Sequence, residues 1–130
     1  MLESVLLDSS AVIAFYNSGD KHHKKIVADI SQTSAKFLIS TITLTESMVA
    51  AFKVSEKESE RMLQELTRGF EPFIEVTSQI AMAAAKLRAK TGLATPDAII
   101  SASASATGAM LWTFDKALAK AHNGSRLIGS

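Results

Sequence analysis

The apolar residues of this chain arrive in short bursts. Segments 4–7, 37–39, 73–76, 110–113 and 126–128 are each apolar at most positions, and each is separated from the next by a stretch with helical patterning. Runs of three or four residues are too short for helices and read as strands of a buried sheet. Because a parallel pair needs a long crossover, usually a helix, this alternation predicts an α/β domain with a mainly parallel sheet. The helices are expected at 11–16, at 21–31 behind Asp20, at 43–52 opened by Thr43, and at 55–68 opened by Ser55 and stopped by Gly69. Three more follow: an alanine-rich 78–90 closed by Gly92, 95–107 with Thr95 as cap and Pro96 in its first turn, and 116–121. With 130 residues, 47% of them hydrophobic, and no linker-like stretch, residues 1–130 are expected to form one domain around a real core.

Several functions are disfavoured at once. Cysteine is absent, which removes disulfides and thiolate metal sites and fits a reducing compartment. The N-terminus has no basic region and Asp8 interrupts the apolar stretch after it, so the expected location is the cytoplasm. The apolar run 93–112 holds Pro96, Asp97 and several hydroxyls, and is better explained as a buried small-residue helix than as a membrane span. Net charge is only +1, so any nucleic-acid site must be built from a few placed cations and not from a broad basic field.

Four acids stand out by position. Asp8 and Asp115 follow the strands expected at 4–7 and 110–113, while Glu46 and Asp97 lie in the early turns of expected helices. Each has a plain structural explanation. Asp8 and Asp115 suit helix caps, Asp97 suits the positive end of a helix dipole, and Thr43 with Glu46 has capping-box spacing. Their joint placement argues for more, because the functional crevice of such a sheet opens at the carboxyl ends of its strands. Two carboxylates about 4 Å apart repel by about 4 kcal/mol at an effective dielectric near 20. A fold that gathers four of them needs protons or cations to offset the charge, and an all-oxygen donor set suits Mg²⁺ or Mn²⁺. Such ions polarise phosphoryl oxygens and lower the pKa of water, which points toward phosphate chemistry.

The sequence Val5-Leu-Leu-Asp-Ser-Ser-Ala-Val, the pair Thr45-Glu46, the segment Leu93-Ala-Thr-Pro-Asp97-Ala-Ile-Ile and the ending Leu111-Trp-Thr-Phe-Asp115 together resemble a PIN domain. Chain size makes it similar to the VapC-type toxin ribonucleases of toxin–antitoxin pairs. The resemblance implies a three-layer α/β/α fold on a five-stranded sheet of order 3-2-1-4-5. It implies that Asp8, Glu46, Asp97 and Asp115 bind Mg²⁺ or Mn²⁺ and carry the catalysis of RNA phosphodiester hydrolysis, with Thr113 and Ser9 in support. It also implies a homodimer and a small antitoxin that occupies the groove, for which Met48, Phe52, Met62, Leu63 and Leu66 are candidate contacts, although core packing explains some of them as well.

Other readings find less support. A non-catalytic interaction module would use the same acids as caps or as contacts for a basic partner. A phosphotransfer domain with Asp8 as nucleophile lacks a second acid two residues later. There is no G-x-S-x-G elbow and no G-x-x-x-x-G-K-[ST] loop, so serine hydrolase and P-loop chemistry are unsupported. His22 and His23 are adjacent and would not share a helix face, making a poor chelate.

Overall fold

Strand β1 (Ser4–Leu7) is apolar on both faces, and the fold buries both. In the computed structural model, which describes residues 3–122 and 124–128, β1 has a neighbour on each side. These are β2 (Lys36–Leu38) and β3 (Met110–Thr113), with β4 (Ser125–Leu127) beyond β3, in the order β2-β1-β3-β4. All three pairings are parallel. The helices are α1 (Ser9–Tyr16), α2 (His23–Ser31), α3 (Thr41–Val54), α4 (Glu56–Phe70), α5 (Ser78–Thr91), α6 (Thr95–Thr107) and α7 (Lys116–Ala121).

Alternation along the strands sorts side chains into two cores. Leu6, Leu38 and Leu111 pack with Ile80, Ala84, Ile100 and Leu118 from α5, α6 and α7. Val5, Leu7 and Trp112 go the other way, onto Val12, Ile26, Leu66 and Phe70 from α1, α2 and α4. Helices thus cover both faces of the sheet, giving the expected α/β/α layering. Asp29 of α2 pins the far strand: it pairs with Lys25 at 3.2 Å and with Arg126 of β4 at 3.1 Å, and the Arg126 guanidinium lies 4.8 Å from the Trp112 ring centroid. Among the described residues no helix is long and apolar enough to cross a membrane, and the apolar run 93–112 divides into α6 and β3.

The strand expected at 73–76 is corrected to a single bridge. Ile74 N donates to Ile39 O at 2.9 Å, Thr41 N donates to Ile74 O at 3.0 Å, and Ser40 and Ile74 form a parallel bridge. Pairing ends there because its partner turns away, Ser40 being already the N-cap of α3, and because Pro72 offers no donor just upstream. The sheet therefore has four strands plus that bridge, not five, and the remaining order is the one expected.

Several boundaries shift for local reasons. Ser40, not Thr43, caps α3, with its hydroxyl accepting from Ile42 N at 3.1 Å, so the Thr43–Glu46 capping box does not form. Ala94, not Thr95, is the N-cap of α6. Asp20 takes the His22 N–H at 2.8 Å in the turn before α2, which starts at His23. Helix α4 runs through Gly69 to Phe70. Gly92 and Gly108 do end their helices, at φ 72° and 70°, where a side chain would be strained.

One buried polar contact joins α6 to the end of α7: Ser101 Oγ lies 2.5 Å from His122 Nδ1. Burial pushes the His122 pKa below its ordinary value. A folded-state value below the unfolded one means the unfolded chain binds the proton more readily. The His122 contribution is therefore complete above about pH 6.5 and declines as pH falls from there through the lower folded value, at about 1.4 kcal/mol per unit of displacement. Melting temperatures of wild type and His122→Asn between pH 5 and 8 should diverge toward high pH, and parallel curves would contradict this.

Candidate active site

Register brings the first two acids together. Leu7 pairs with Trp112, so Asp8 emerges beside Thr113, and Asp8 N continues the ladder by donating to Trp112 O at 3.2 Å. The chain leaves β1 toward β2 on one side while β3 lies on the other, which makes this the switch point where an α/β sheet opens a crevice. Asp115 follows two residues after Thr113. Asp97 enters from the first turn of α6, and Glu46 from the second turn of α3.

Asp8 is 3% exposed and held by three donors. Thr113 Oγ1 donates to Oδ2, while Ser10 Oγ and Ala11 N donate to Oδ1 at 2.7 and 2.9 Å. These donors favour the carboxylate, yet burial outweighs them and raises the Asp8 pKa, with a smaller push from the Asp115 charge. Asp97 is half-buried. Its pKa is also raised, by burial first and then by the charges of Asp115, Asp8 and Glu46. The charges of all three other acids thus reach Asp97.

The hydroxyls complete the arrangement. Ser9 Oγ lies 2.5 Å from Glu46 Oε1 and 3.3 Å from Thr43 Oγ1, and its one proton goes to the carboxylate, the stronger acceptor. Fully buried Thr113 accepts from Asp115 N at 2.9 Å while donating to Asp8, so one side chain ties two acids. Ser10 was not anticipated. Besides holding Asp8, its oxygen accepts from Phe114 N at 3.3 Å, closing the loop between β3 and α7 onto α1. The structural roles of the acids are also real: Asp8 caps α1, and Asp115 caps α7 by accepting from Leu118 N at 3.0 Å.

The donor chemistry fits a hard divalent cation, with four carboxylates and no thiol or imidazole among them. Among the described residues no three or more His, Cys, Asp or Glu side chains already stand at metal-ligand spacing, so the fit is one of donor type and uncompensated negative charge. The basic side chains available as phosphate contacts divide. Lys25 is paired with Asp29, and Arg88 Nε donates to Leu93 O at 2.9 Å, closing the turn before α6, whereas Lys21, Lys24 and Lys116 are exposed. His22 and His23 point to different partners, His23 Nδ1 lying 2.8 Å from Ala14 O.

An acid cluster at the switch point of a parallel sheet defines a class of site suited to cations and phosphate esters. The PIN domain family model matches residues 5–123, and the chain belongs to that family. A toxin–antitoxin complex from Klebsiella pneumoniae is similar with a TM-score of 0.79 and 27% identity, over 94% of this chain and 95% of that one. The toxin VapC20 of Mycobacterium tuberculosis, described as cleaving the sarcin-ricin loop, has a TM-score of 0.76 at 17% identity, over 90% and 94% of the two chains. FitAcB from Neisseria gonorrhoeae has a TM-score of 0.74 at 20% identity, over 90% and 91%. The latter two share the fold. No curated protein matches the chain.

Proposed function

We propose that this protein is a divalent-metal-dependent endoribonuclease and the toxin of a type II toxin–antitoxin pair, formed by one PIN-like domain over residues 1–130 and acting in the cytoplasm. The observation that carries the reading is the convergence of the Asp115, Asp8 and Glu46 charges on part-buried Asp97 near the carboxyl end of the sheet. Asp8, Glu46, Asp97 and Asp115 would hold Mg²⁺ or Mn²⁺. Such an ion supplies Lewis acidity toward a phosphodiester and lowers the pKa of the attacking water. Thr113 and Ser10 fix the Asp8 carboxylate, Thr113 also sets the Asp115 backbone, and Ser9 orients Glu46. Fixed donors of this kind hold the acids in place before substrate arrives, which lowers the reorganisation needed during reaction.

A small antitoxin is the proposed partner, seated in the groove of about 380 Å³ between α1, α3 and α4. Of the five candidate contacts, Leu66 is fully buried and belongs to the core, Met48 and Met62 pack against it, and Phe52 and Leu63 are exposed at 57% and 44%. Of these, part-buried Met62 lines the groove, whereas the exposed Phe52 and Leu63 stand outside its lining. A homodimer is part of the same reading, and the small residues Ala81, Ala85 and Ala89 beside exposed Met82 suit close helix packing. The alternative, a non-catalytic interaction module, is favoured by the capping roles of Asp8 and Asp115, but capping accounts for neither Asp97 nor Glu46.

The deciding experiment incubates antitoxin-free protein with a mixed cellular RNA pool in Mn²⁺, Mg²⁺ or EDTA, beside Asp97→Asn. Discrete cuts that require metal and vanish in the variant are expected. No cuts, or cuts that persist in Asp97→Asn, would move the reading to the interaction module or to a contaminating nuclease.

A further inference from the structure

His22 and Phe114 stack face to face, with ring centroids 4.1 Å apart and planes 12° from parallel. Three aromatic pairs are present among the described residues, and only this one contains a neighbour of Asp115. Phe114 N donates to Ser10 Oγ, which donates to Asp8 Oδ1, so the stack is tied by two hydrogen bonds to the most buried acid of the site.

The imidazole is an uneconomical choice for covering Phe114. An aliphatic side chain would do so without a polar edge, yet neither ring nitrogen of His22 has a protein partner among the described residues, whereas His23 beside it meets Ala14 O. His22 is also the N-cap residue of α2 and makes no capping bond with its side chain. Both stacked rings are half-buried, so the pair reaches the surface. Exposed Lys21 and Lys24 flank His22, and exposed Lys116 follows Asp115. An acid pocket repels a phosphodiester strand, and cations on its rim are what would bring such a strand in.

Resting on the ribonuclease reading, we infer that His22 and Phe114 form a stacking platform for an unpaired RNA base next to the cleaved phosphate, with Lys21 and Lys24 taking the adjoining backbone. A base in a duplex has both faces covered, whereas an unpaired base can continue a parallel aromatic stack. The platform would direct this enzyme to single-stranded or looped RNA with little demand on base identity, because every base offers a π-face.

The test compares wild type, His22→Leu and His22→Trp. Leucine keeps an apolar cover on Phe114 but removes the π-face, and tryptophan keeps a π-face. Binding of a single-stranded oligoribonucleotide carrying 2-aminopurine is followed by anisotropy and by base fluorescence, in Ca²⁺, which fills hard-oxygen sites at longer bond lengths than Mg²⁺. Expected are about tenfold weaker binding and loss of base quenching in His22→Leu with an unchanged melting temperature, near-normal binding and quenching in His22→Trp, and for wild type a preference for single strands over the matching duplex. Equal binding and quenching in wild type and His22→Leu would overturn the platform while leaving the ribonuclease reading intact. If His22→Trp loses binding together with His22→Leu, the histidine acts by some route other than stacking, and the platform is again overturned. Wild-type protein that binds no RNA would remove the ribonuclease reading and the platform with it.

Discussion

Asp97→Asn protein is expected to cleave RNA at least about 100-fold more slowly than wild type, and yet to melt higher in the absence of divalent metal. The two effects share one origin. Asp97 is repelled by Asp115, Asp8 and Glu46 and is partly desolvated, and no hydrogen bond or ion pair to it is present among the described residues. Its charge is therefore a cost to the metal-free fold, and the near-isosteric amide removes it. Half exposure screens the gain, leaving about 1 kcal/mol, or roughly 4 °C in Tm for a domain of this size. With the folded-state pKa raised, the metal-free wild type should become relatively more stable as pH falls through that raised value toward about 3.8, and Asp97→Asn should lack this part of the pH dependence. Saturating Mg²⁺ or Mn²⁺ should reverse the order, because a ligand bound only by the folded state stabilises it, and the variant has one donor fewer. Losing about 3 kcal/mol of transition-state stabilisation corresponds to roughly 100-fold in rate. Melting curves with and without metal, read beside initial cleavage rates, check both halves. A variant that is less stable than wild type without metal, or that cuts as fast with it, would contradict the electrostatic account.

Much of the candidate site was legible because three of its four acids coincide with boundaries that sequence marks well. Asp8 and Asp115 end apolar bursts, and Asp97 follows Pro96 at a helix start. What spacing alone did not contain was adjacency. That β1 lies between β2 and β3 is a long-range choice of pairing, and it reached the sequence reading only through family resemblance. Glu46 shows how a local rule can mislead: Thr43 and Glu46 have capping-box spacing, but Ser40 starts the helix earlier, and Glu46 is left free to meet Ser9. Ser10 went unread for a related reason. Its position becomes meaningful only once α1 is known to begin at Ser9, so that the hydroxyl folds back onto the capping carboxylate. The segment at 73–76 has the composition of a strand, and its failure to become one is decided by its partner, which turns into α3 after a single bridge. Leu66 likewise shared a helical stripe with Leu63, and only packing separates the buried residue from the exposed one.

Thr113→Val should be the most damaging single substitution that leaves every acid in place. The methyl group that replaces the hydroxyl conserves shape, so core packing is preserved, but two polar contacts are lost, one of them fully buried and the other part-buried. Asp8 loses its donor at Oδ2, and Asp115 N loses its acceptor. An unmet buried carboxylate oxygen and an unmet backbone N–H together cost about 3 kcal/mol, which would lower Tm by about 10 °C. The functional effect should be separable from this loss of stability. With Asp8 free to rotate and the turn at Asp115 loosened, metal affinity is expected to fall about 10- to 100-fold, the usual consequence of removing a group that orients a ligand. Thr113→Ser retains the hydroxyl and should recover metal affinity while keeping a small packing deficit from the lost methyl. Isothermal titration with Mn²⁺ at a temperature where all three proteins are folded distinguishes the outcomes. If Thr113→Val binds Mn²⁺ as tightly as wild type, the hydroxyl serves the fold alone. If Thr113→Ser fails together with Thr113→Val, the methyl group and not the hydrogen bonds is what the site requires.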